Sequence, residues 1–407
     1  MPPLPKKEVS LWVESTKRTK YSALKENIKV DTAVIGGGVA GLTLAYLLCA
    51  SGKKVAVLEK SGIGLGVTGH TTGKVSSQHS LCYADLAQRL GEADARIYGE
   101  ANQTALEKIN EIITTEKIVC DWTREDNYVF TEKASQMKKF KEEAKTAKKL
   151  GLPASFEKDT PLPFPIKAAV RFSNQAKIHA GNYLQGLAKA ITEKDGLVFE
   201  ETEAKDINDG EPARVRTDRA EVIASDIVIA TNVPYPWLAH GYYCAYEYPL
   251  KSYIIACRFQ DDMKGMFITP GRAPQSLLPV TAGKNRYLLV GGRSHVPGLN
   301  AGSGNRFKAL ADYAAVNIGI ESIEYKWSAR DYLGYDDKPL AGRLYPWSKH
   351  VFSATGFMKW GLTNATACAM ILHDLLSGED NPWAKTFDPH RFTNIKSIPR
   401  AAAKYFS

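Results

Sequence analysis

The sequence lacks the features that mark a membrane protein, a secreted protein or a metal protein. No apolar run approaches the roughly 18 residues that a membrane span needs, and residues 1–20 hold no apolar stretch typical of a signal peptide. The six cysteines are scattered and include no Cys-x-x-Cys pair, which argues against a zinc or iron–sulfur site and fits reduced thiols. They are Cys49, Cys82, Cys120, Cys244, Cys257 and Cys368. We therefore expect a cytoplasmic protein without a metal centre.

Repeats and low-complexity segments are also absent, and a chain of 407 residues favours two globular domains. The net charge is +9, and part of this excess lies in residues 137–150. Their helical spacing and mixed charges predict a solvated helix face, with a docking surface for an acidic partner or a membrane surface as the alternative. No platform of basic and aromatic residues accompanies the charge, so we expect no nucleic-acid partner.

The clearest signal is a strand, a glycine turn, a helix and a second strand within residues 30–60. Gly36 permits the tight turn, Gly38 lets the backbone approach a pyrophosphate, and Gly41 lets the helix pack closely on the strand. The start of the helix offers free N–H groups and a positive dipole end to phosphates. Glu59 follows the second strand, where its carboxylate can accept hydrogen bonds from ribose hydroxyls. The predicted dinucleotide contacts also include Val39, Ala40 and Lys60.

Two features favour FAD over NAD as the dinucleotide. The chain passes from the second strand into GVTGHTTGKVSSQHS (66–80), a loop rich in glycine and threonine, rather than into further strand–helix units. A long stretch with a helical pattern follows, from about Ala84 to Lys117. A later strand, ASDIVIATNVP (224–234), ends in Ala230, Thr231 and Asn232. That ending resembles the Ala-Thr-Gly strand end that closes many FAD-binding domains. An NAD-dependent dehydrogenase is the alternative, and it would carry no yellow chromophore.

Residues 28–378 resemble the D-amino-acid oxidase superfamily of FAD-dependent oxidoreductases. The resemblance rests on the glycine turn with Glu59, the loop 66–73, QAKIHAGNYLQGLAKAI (175–191), DIVIATN (226–232), WSARDYLGYDDKPLAGRL (327–344) and SATGFMKWGLTNATACAMIL (353–372). It implies an α/β fold with a Rossmann-type FAD-binding domain, glutathione-reductase-like, and a second domain with a mixed, largely antiparallel sheet. It also implies that QAKIHAGNYLQGLAKAI forms a helix that supports the FAD-binding domain. We assign 28–100, 165–235 and 335–378 to the FAD-binding domain, 101–164 and 236–334 to the substrate domain, 1–27 to an N-terminal extension and 379–407 to a tail.

More narrowly, the chain resembles bacterial members of this superfamily that carry a C-terminal Rieske iron–sulfur domain. Neither Cys-x-His nor Cys-x-x-His follows Gly378. We therefore expect no iron–sulfur relay within this chain.

The loop 66–73 resembles the Gly-Thr-x-His-x-x-Gly loop of the dimethylglycine and sarcosine dehydrogenase branch. In that branch the histidine is bonded to the flavin 8-methyl group, which implies this role for His70. The branch has a tryptophan before the histidine, where this chain has Gly69. The alternative is that His70 only forms hydrogen bonds within the loop or to the cofactor phosphates. Further predicted cofactor contacts in this loop are Gly66, Thr68, Gly69, Thr71 and Thr72, with the threonine hydroxyls donating to the pyrophosphate or ribityl chain.

A second flavin-contacting segment is predicted near the C-terminal end of the resemblance. HVFSATG (350–356) predicts a strand, FMKWG (357–361) a turn, and LTNATACAMILHDLLSG (362–378) a helix that ends at Gly378. The positive end of this helix would stabilise negative charge on reduced flavin. Lys359 is predicted to add positive charge there or to help activate oxygen, with a solvated turn lysine as the alternative. The predicted contacts are Gly356, Phe357, Lys359, Trp360, Gly361, Leu362 and Thr363, together with Ala204.

On the substrate side, Asp331 takes the position at which many amino-acid-oxidising relatives have an arginine that clamps the substrate carboxylate. Arg330 is one place off and would lie on the opposite side of a strand. This predicts that the usual clamp is absent and that Asp331 suits a cationic amine, with a structural Arg330–Asp331 pair as the alternative. His295, after a strand, is predicted to lie outside the site. Aromatic residues predicted to form mostly core and partly substrate wall are Trp237, Tyr242, Tyr243, Tyr246, Tyr248 and Tyr253.

These features predict a flavoenzyme that oxidises the C–N bond of an amine or amino acid. Hydride transfer to flavin N5 would give an imine that water hydrolyses. The candidate catalytic residues are Lys359, His70 and Asp331. One alternative is an electron-transferring dehydrogenase that works with a separate iron–sulfur or quinone partner. Another is a flavin-binding scaffold without turnover.

Overall fold

A computed structural model describes residues 2–232, 247–271, 274–297 and 303–391 of the chain. Its strands, in chain order, are β1 (Ile28–Ile35), β2 (Val55–Leu58), β3 (Lys74–Val75), β4 (Thr123–Thr131), β5 (Ala154–Glu157), β6 (Ala168–Lys177), β7 (Leu197–Phe199), β8 (Asp206–Asn208), β9 (Ala213–Arg216), β10 (Glu221–Asn232), β11 (Glu247–Arg258), β12 (Met266–Ile268), β13 (Ser276–Ala282), β14 (Asn285–His295), β15 (Ile323–Gly334), β16 (Leu340–Arg343) and β17 (Val351–Thr355).

Helices and short 3₁₀ turns connect these strands. The α-helices are α1 (Leu11–Ser15), α2 (Val39–Ala50), α3 (Tyr83–Leu90), α4 (Glu92–Thr115), α5 (Met137–Lys149), α6 (Ala180–Glu193), α7 (Ser303–Asn317), α8 (Gly361–Ser377) and α9 (Ala384–Phe387). The 3₁₀ turns are Val67–His70 and Ala134–Gln136. None of these described helices combines the length and hydropathy needed to cross a bilayer.

The first sheet has the parallel centre of a dinucleotide-binding fold. Its strands lie in the order β16–β17–β10–β1–β2–β7, with β9 also on β10 and β8 on β9. β17, β10, β1, β2 and β7 are mutually parallel, and β16 and β9 pair antiparallel to their neighbours. The carboxyl ends of the parallel strands therefore share one edge, which is where α/β sheets bind ligands.

Side chains alternate between the two faces of this sheet. On β1, Val34 joins a core that includes buried residues of α2, α4, α6 and α8. Ala33 and Ile35 point to the opposite face, where they pack with residues of β9, β10 and β16. Both faces of the central strand are covered, which is why VDTAVI reads as a continuous apolar run rather than an alternating one.

The second sheet is mixed and largely antiparallel, as predicted. Its order is β15–β11–β14–β13–β12–β4–β6–β3, with β5 also on β6. Among the described strands only β12 and β4 pair in parallel within this sheet. Apolar residues of α7 cover one face. The other face packs partly against Leu11 and Trp12 of α1.

Two predicted helical segments differ in detail from the structure. The stretch from about Ala84 to Lys117 is two helices, because Gly91 between α3 and α4 has φ +91° and ends the first helix. In QAKIHAGNYLQGLAKAI the first residues belong to β6, and α6 starts only after His179, whose Nδ1 accepts from Asn182 N at 3.2 Å. The predicted end of α8 is confirmed, since Gly378 adopts the left-handed conformation with φ +75°.

The division of the chain between two domains stays a prediction. The two sheets follow it except at β3 and β6, which lie in segments assigned to the FAD-binding domain yet belong to the second sheet. Among the described strands, β3 pairs with β6 alone, so the chain enters the second sheet soon after the glycine-rich loop.

Candidate active site

A cavity of about 1480 Å³ lies between the carboxyl edge of the first sheet and one face of the second. Its walls include the turn after β1, the end of β2, the loop 66–72, the end of β10 and the start of α8. From the second sheet, β11, β13, β14 and β15 contribute side chains. The two predicted flavin-contacting segments and the predicted substrate strand therefore meet at one site.

The glycine turn leaves backbone open to this cavity. Gly36 has φ +115°, and a Cβ there would stand 2.5 Å from Ala230 O. A Cβ on Gly41 would stand 2.0 Å from Gly36 O, so the first turn of α2 packs directly on the turn before it. Both positions exclude any side chain, which is the role predicted for a phosphate-binding turn.

Glu59 fastens the same turn from the end of β2. Its carboxylate accepts from Gly37 N at 2.8 Å and from Ser61 N at 2.9 Å. A carboxylate has about four acceptor positions, so it can accept further bonds from a ligand. Lys60 and Ala204 lie in the adjoining wall.

Loop 66–72 is held from outside through three consecutive carbonyl groups. Gly69 O accepts from Ser10 Oγ at 2.6 Å, His70 O from Trp327 Nε1 at 2.9 Å, and Thr71 O from Trp12 Nε1 at 2.8 Å. We call these three donors the loop clamp. These three carbonyl groups are hydrogen-bonded to the loop clamp and are therefore not available to a ligand in the cavity.

The side chains of this loop line the cavity at Thr68, His70, Thr71 and Thr72. His70 Nδ1 lies 2.8 Å from Gly66 O, and Nε2 has no hydrogen-bond partner among the described residues. A Cβ on Gly69 would stand 1.8 Å from Gly64 O. The tryptophan found there in the resembling branch could not be accommodated in this loop conformation.

The segment before α8 carries Lys359 into the cavity wall. Met358 and Lys359 both have positive φ, 56° and 65°. Lys359 Nζ donates to Ser294 Oγ at 2.8 Å, and that hydroxyl lies 3.1 Å from Ser252 Oγ. Burial lowers the pKa of Lys359, and Asp331 opposes the shift. The segment thus joins a cation to a pair of hydroxyl groups on the second sheet.

Asp331 faces this cavity from β15 and is opposite Leu250 on β11. Arg330 is opposite Lys251, does not line the cavity and is exposed. Burial raises the pKa of Asp331 to about 6, and Lys359 opposes the rise. The alternation along β15 therefore separates the two side chains as expected for a strand.

Two buried groups of the cavity wall were missed in the sequence. The imidazole of His79 is buried, and its Nδ1 lies 2.5 Å from Tyr98 OH. Its Nε2 lies 2.8 Å from Ser76 O and 3.0 Å from Thr363 Oγ1. The ring also stacks on Trp360. Burial lowers its pKa to about 3, so the ring is neutral. Lys74, also buried, donates to Phe267 O and Ser276 Oγ. Both residues lie in the glycine- and threonine-rich stretch 66–80, but their burial depends on partners far along the chain, Ser276 and Thr363.

The expectation for His295 is wrong. It is the last residue of β14 rather than a turn residue, and it lines the cavity. Its ring stacks on Tyr253 at 5.7 Å, and Nδ1 has no hydrogen-bond partner among the described residues. Burial lowers its pKa, aided by Arg306 and Lys251.

The aromatic residues divide as follows. Tyr248 lines the cavity, whereas Tyr253 is buried in the core under α7. Trp237, Tyr242, Tyr243 and Tyr246 lie outside the described residues. Among those described, no group of three or more His, Cys, Asp or Glu side chains is arranged to hold a metal ion.

Most predicted contact residues lie along the cavity, and four do not. Those on the wall are Gly36, Gly38, Val39, Ala40, Glu59, Lys60, Gly66, Thr68, His70, Thr71, Thr72, Ala204, Ala230, Thr231, Asn232, Asp331, Phe357, Lys359, Trp360, Gly361 and Leu362. Gly41, Gly69, Gly356 and Thr363 stand behind it. Gly356 has φ +72°, and a Cβ there would stand 2.8 Å from Glu247 Oε1. A glycine is therefore required both by the backbone conformation and by the close approach of the buried Glu247 carboxyl group.

Comparisons with known proteins agree with this architecture. A family model described as FAD dependent oxidoreductase matches residues 31–375. YhfW of Bacillus subtilis (strain 168), named as a Rieske 2Fe-2S iron-sulfur protein, is 34% identical over 383 residues, which cover 94% of this chain and 75% of YhfW. Gamma-glutamylputrescine oxidoreductase of Escherichia coli (strain K12) is 25% identical over 401 residues, covering 95% of this chain and 91% of that protein. Among solved structures, glycine oxidase from Geobacillus kaustophilus has a TM-score of 0.75 at 18% identity, covering 90% of this chain and 100% of that one.

Proposed function

The chain belongs to the D-amino-acid oxidase family of FAD-dependent oxidoreductases, and from this premise we propose that it oxidises the C–N bond of an amine or amino acid. Two relatives named for such substrates, gamma-glutamylputrescine oxidoreductase by sequence and glycine oxidase by fold, support the substrate class. The observation that carries the proposal is the placement of Asp331 and Lys359 together in the cavity wall. It supports the prediction, made from the resemblance, that an acid stands here in place of the usual arginine clamp.

The described residues fit FAD. Gly36, Gly38 and the start of α2 offer bare backbone for a pyrophosphate, and Glu59 offers free acceptor positions for a ribose. The loop 66–72 and the start of α8, which has no side-chain cap, would border the isoalloxazine ring. Bound FAD supplies the two-electron acceptor. A covalent bond through His70 would use Nε2, because Nδ1 lies against Gly66 O.

Asp331 has the charge and placement to receive a substrate ammonium. An amine must lose its proton before hydride can leave the neighbouring carbon, and a carboxylate with a pKa near 6 is ionised at neutral pH and can accept that proton. Lys359, whose Nζ donates to Ser294 Oγ, holds its amino group in the same cavity wall as Asp331. The aromatic and apolar wall, which includes Tyr248 and Leu250, excludes water while these groups orient the substrate.

The visible spectrum of the purified protein under anaerobic conditions tests this proposal. We expect a yellow protein whose oxidised-flavin band is bleached by at least one compound among primary amines, N-methylated amines and amino acids. A yellow protein that no amine bleaches would contradict amine oxidation and would favour a flavin-binding scaffold. Acid precipitation of the same sample separates free FAD from FAD bonded to His70, and His70→Ala should release all of it.

A second candidate is an electron-transferring dehydrogenase that passes electrons to a separate iron–sulfur or quinone partner. Similarity to YhfW, which is named as a Rieske protein, favours it. In this case substrate-reduced protein would be reoxidised much faster by an artificial dye than by oxygen. Equal or faster reoxidation by oxygen would contradict this candidate and define an oxidase.

A further inference from the structure

Lys74 is a buried lysine in the cavity wall that the proposed reaction does not use. The residue is 6% exposed and follows the loop 66–72 directly in β3. Its Nζ donates to Phe267 O at 3.0 Å and to Ser276 Oγ. Both acceptors are uncharged, and an ammonium group has three donors. One donor therefore remains for a group in the cavity.

Among the described residues, no acidic group forms an ion pair with Lys74. Burial lowers the pKa of Lys74 to about 7, and no neighbouring carboxylate opposes that shift. A buried charge is costly unless a partner of opposite charge accompanies it. An anion that entered the cavity would supply this partner.

The register of the second sheet shows how far Lys74 lies from Asp331. Ser276, Gly291, Ile254 and Trp327 form one row across β13, β14, β11 and β15. Asp331 stands four residues along β15 from Trp327. Three strand spacings and four residues of rise separate the Cα atoms of Ser276 and Asp331 by roughly 20 Å. The Lys74 site and Asp331 are therefore at opposite corners of this sheet face.

Part of the sheet face between these corners carries no side chains. Gly291 and Gly292 of β14 line the cavity without side chains. Gly292 has φ +151°, and a Cβ there would stand 2.2 Å from Pro274 O, so the backbone itself requires glycine. The hydroxyls of Ser252 and Ser294 lie nearer to the Asp331 corner. The cavity floor between Lys74 and Asp331 therefore includes bare backbone at β14 and hydroxyl groups towards Asp331.

We propose that Lys74 forms an anion-binding subsite, and that the substrate is an extended amine with a carboxylate remote from the oxidised nitrogen. The inference rests on the proposed amine oxidation beside Asp331 and Lys359, and it names the substrate class of that site. An α-amino acid, whose carboxylate is adjacent to the nitrogen, cannot reach both corners.

Binding without turnover tests the subsite by itself. Straight-chain alkanoates and the matching alkanamides, which have no oxidisable amine, are titrated into the FAD-loaded protein while the flavin absorption spectrum is followed. We expect the alkanoate to bind more tightly than its amide, and Lys74→Met to remove this preference by weakening the alkanoate about 10- to 100-fold. The control Lys139→Met removes an exposed lysine from the cavity mouth and should leave the preference intact.

Turnover then tests the substrate class. Flavin reduction is followed with ω-amino carboxylates of increasing chain length, from γ-aminobutyrate to ω-aminododecanoate, and with their amides. We expect a long-chain acid to be preferred, and Lys74→Met to raise the KM of the acid by at least about tenfold while changing the limiting reduction rate little. Lys74→Gln serves as a second variant, and flavin content and melting temperature report whether each variant is folded.

The outcomes separate the two proposals. If alkanoates show the Lys74-dependent preference but no amine reduces the flavin, the subsite stands and amine oxidation fails. If amines reduce the flavin but Lys74→Met affects acids and amides equally, the subsite is overturned and amine oxidation stands. A Lys74→Met variant that changes only the flavin spectrum would also overturn it, because Lys74 would then serve the cofactor.

Discussion

At the scale of single residues, the charge state of Asp331 should set the pH dependence of the reaction. Burial raises its pKa to about 6. If its carboxylate accepts the amine proton, kcat/KM rises as the pH increases through about 6, because the ionised form is the active one. Asp331→Asn should abolish this rise, the acidic limb of the pH profile, and should slow flavin reduction by about 10²- to 10⁴-fold. The measurement is the pH profile of flavin reduction by a substrate amine.

The neighbouring arginine offers a matched control for this prediction. Arg330 is on the same strand but does not line the cavity, so Arg330→Gln should leave the limb near pH 6 in place. A variant Asp331→Asn that kept this limb would assign it to another group and would remove Asp331 from the proton transfer.

Residues could be predicted from the sequence where their role is local. Gly36 and Glu59 were identified because a strand, a turn and a second strand surround them in register. Lys74 and His79 were not, because their burial depends on partners far along the chain, Ser276 and Thr363. The position of His295 was also not predicted, because strand β14 continues through its glycines as far as His295, where it pairs with Lys251 of β11.

At the scale of elements, the loop clamp should position the loop that carries His70. Trp327→Phe keeps most of the ring but removes the N–H that His70 O accepts. Leaving a buried carbonyl without its donor costs about 1–3 kcal/mol, and we expect this cost to appear as weaker FAD binding and an altered flavin absorption spectrum. Trp12→Phe, which removes the donor to Thr71 O, should act in the same direction. Reconstitution of the apoprotein with FAD measures both effects.

Trp347→Phe is the control for the clamp, because this tryptophan is 72% exposed and stacks only on the surface residue Tyr345 among described rings. It should leave FAD affinity and the flavin spectrum unchanged. If Trp327→Phe lowered thermal stability without altering either flavin readout, the tryptophan would support the fold and would not position the loop.

The elements show where sequence patterns suffice. The end of α8 was predicted because Gly378 is a local stop signal. The break between α3 and α4 was missed because Gly91 is one glycine inside an otherwise helical pattern. The contact of α1 with the loop was not predicted, since Trp12 and Thr71 are 59 residues apart and no periodicity connects them.

At the scale of the whole molecule, the order of strands is the part that the sequence conceals. The parallel sheet could be inferred from the resemblance and from apolar strands, each followed by a turn or helix. The membership of β3 and β6 in the second sheet depends on pairing between residues about a hundred positions apart, such as Val75 and Ala176. Local patterns carry no information about such pairing.

The described C-terminal segment is joined to the rest of the molecule by a buried ion pair. Arg391 donates to both carboxylate oxygens of Asp336, at 2.8 and 2.9 Å, and the two side chains are 9% and 15% exposed. The next residue, Asp337, binds Arg89 of α3 at 2.9 Å. Both carboxylates follow β15, so the turn between β15 and β16 links the C-terminal segment to the helix beside the cavity.

Breaking this pair should destabilise the whole molecule in a pH-dependent way. Burial favours the neutral form of Asp336, but Arg391 outweighs it and the pKa of Asp336 is lowered. A lowered native pKa contributes stability above the unfolded value near 3.9, and this contribution is lost as the pH falls through the native pKa.

Arg391→Met should therefore lower the free energy of unfolding at neutral pH by about 3–5 kcal/mol, and by less in acid. Arg391→Met combined with Asp336→Asn should recover part of the loss, because the Asp336 carboxylate is then not left buried without Arg391. The control Lys189→Met breaks an exposed pair and should cost less than about 1 kcal/mol. Denaturant unfolding at two pH values measures all three, and a loss for Arg391→Met no larger than that of the control would show that the segment is held by its apolar contacts alone.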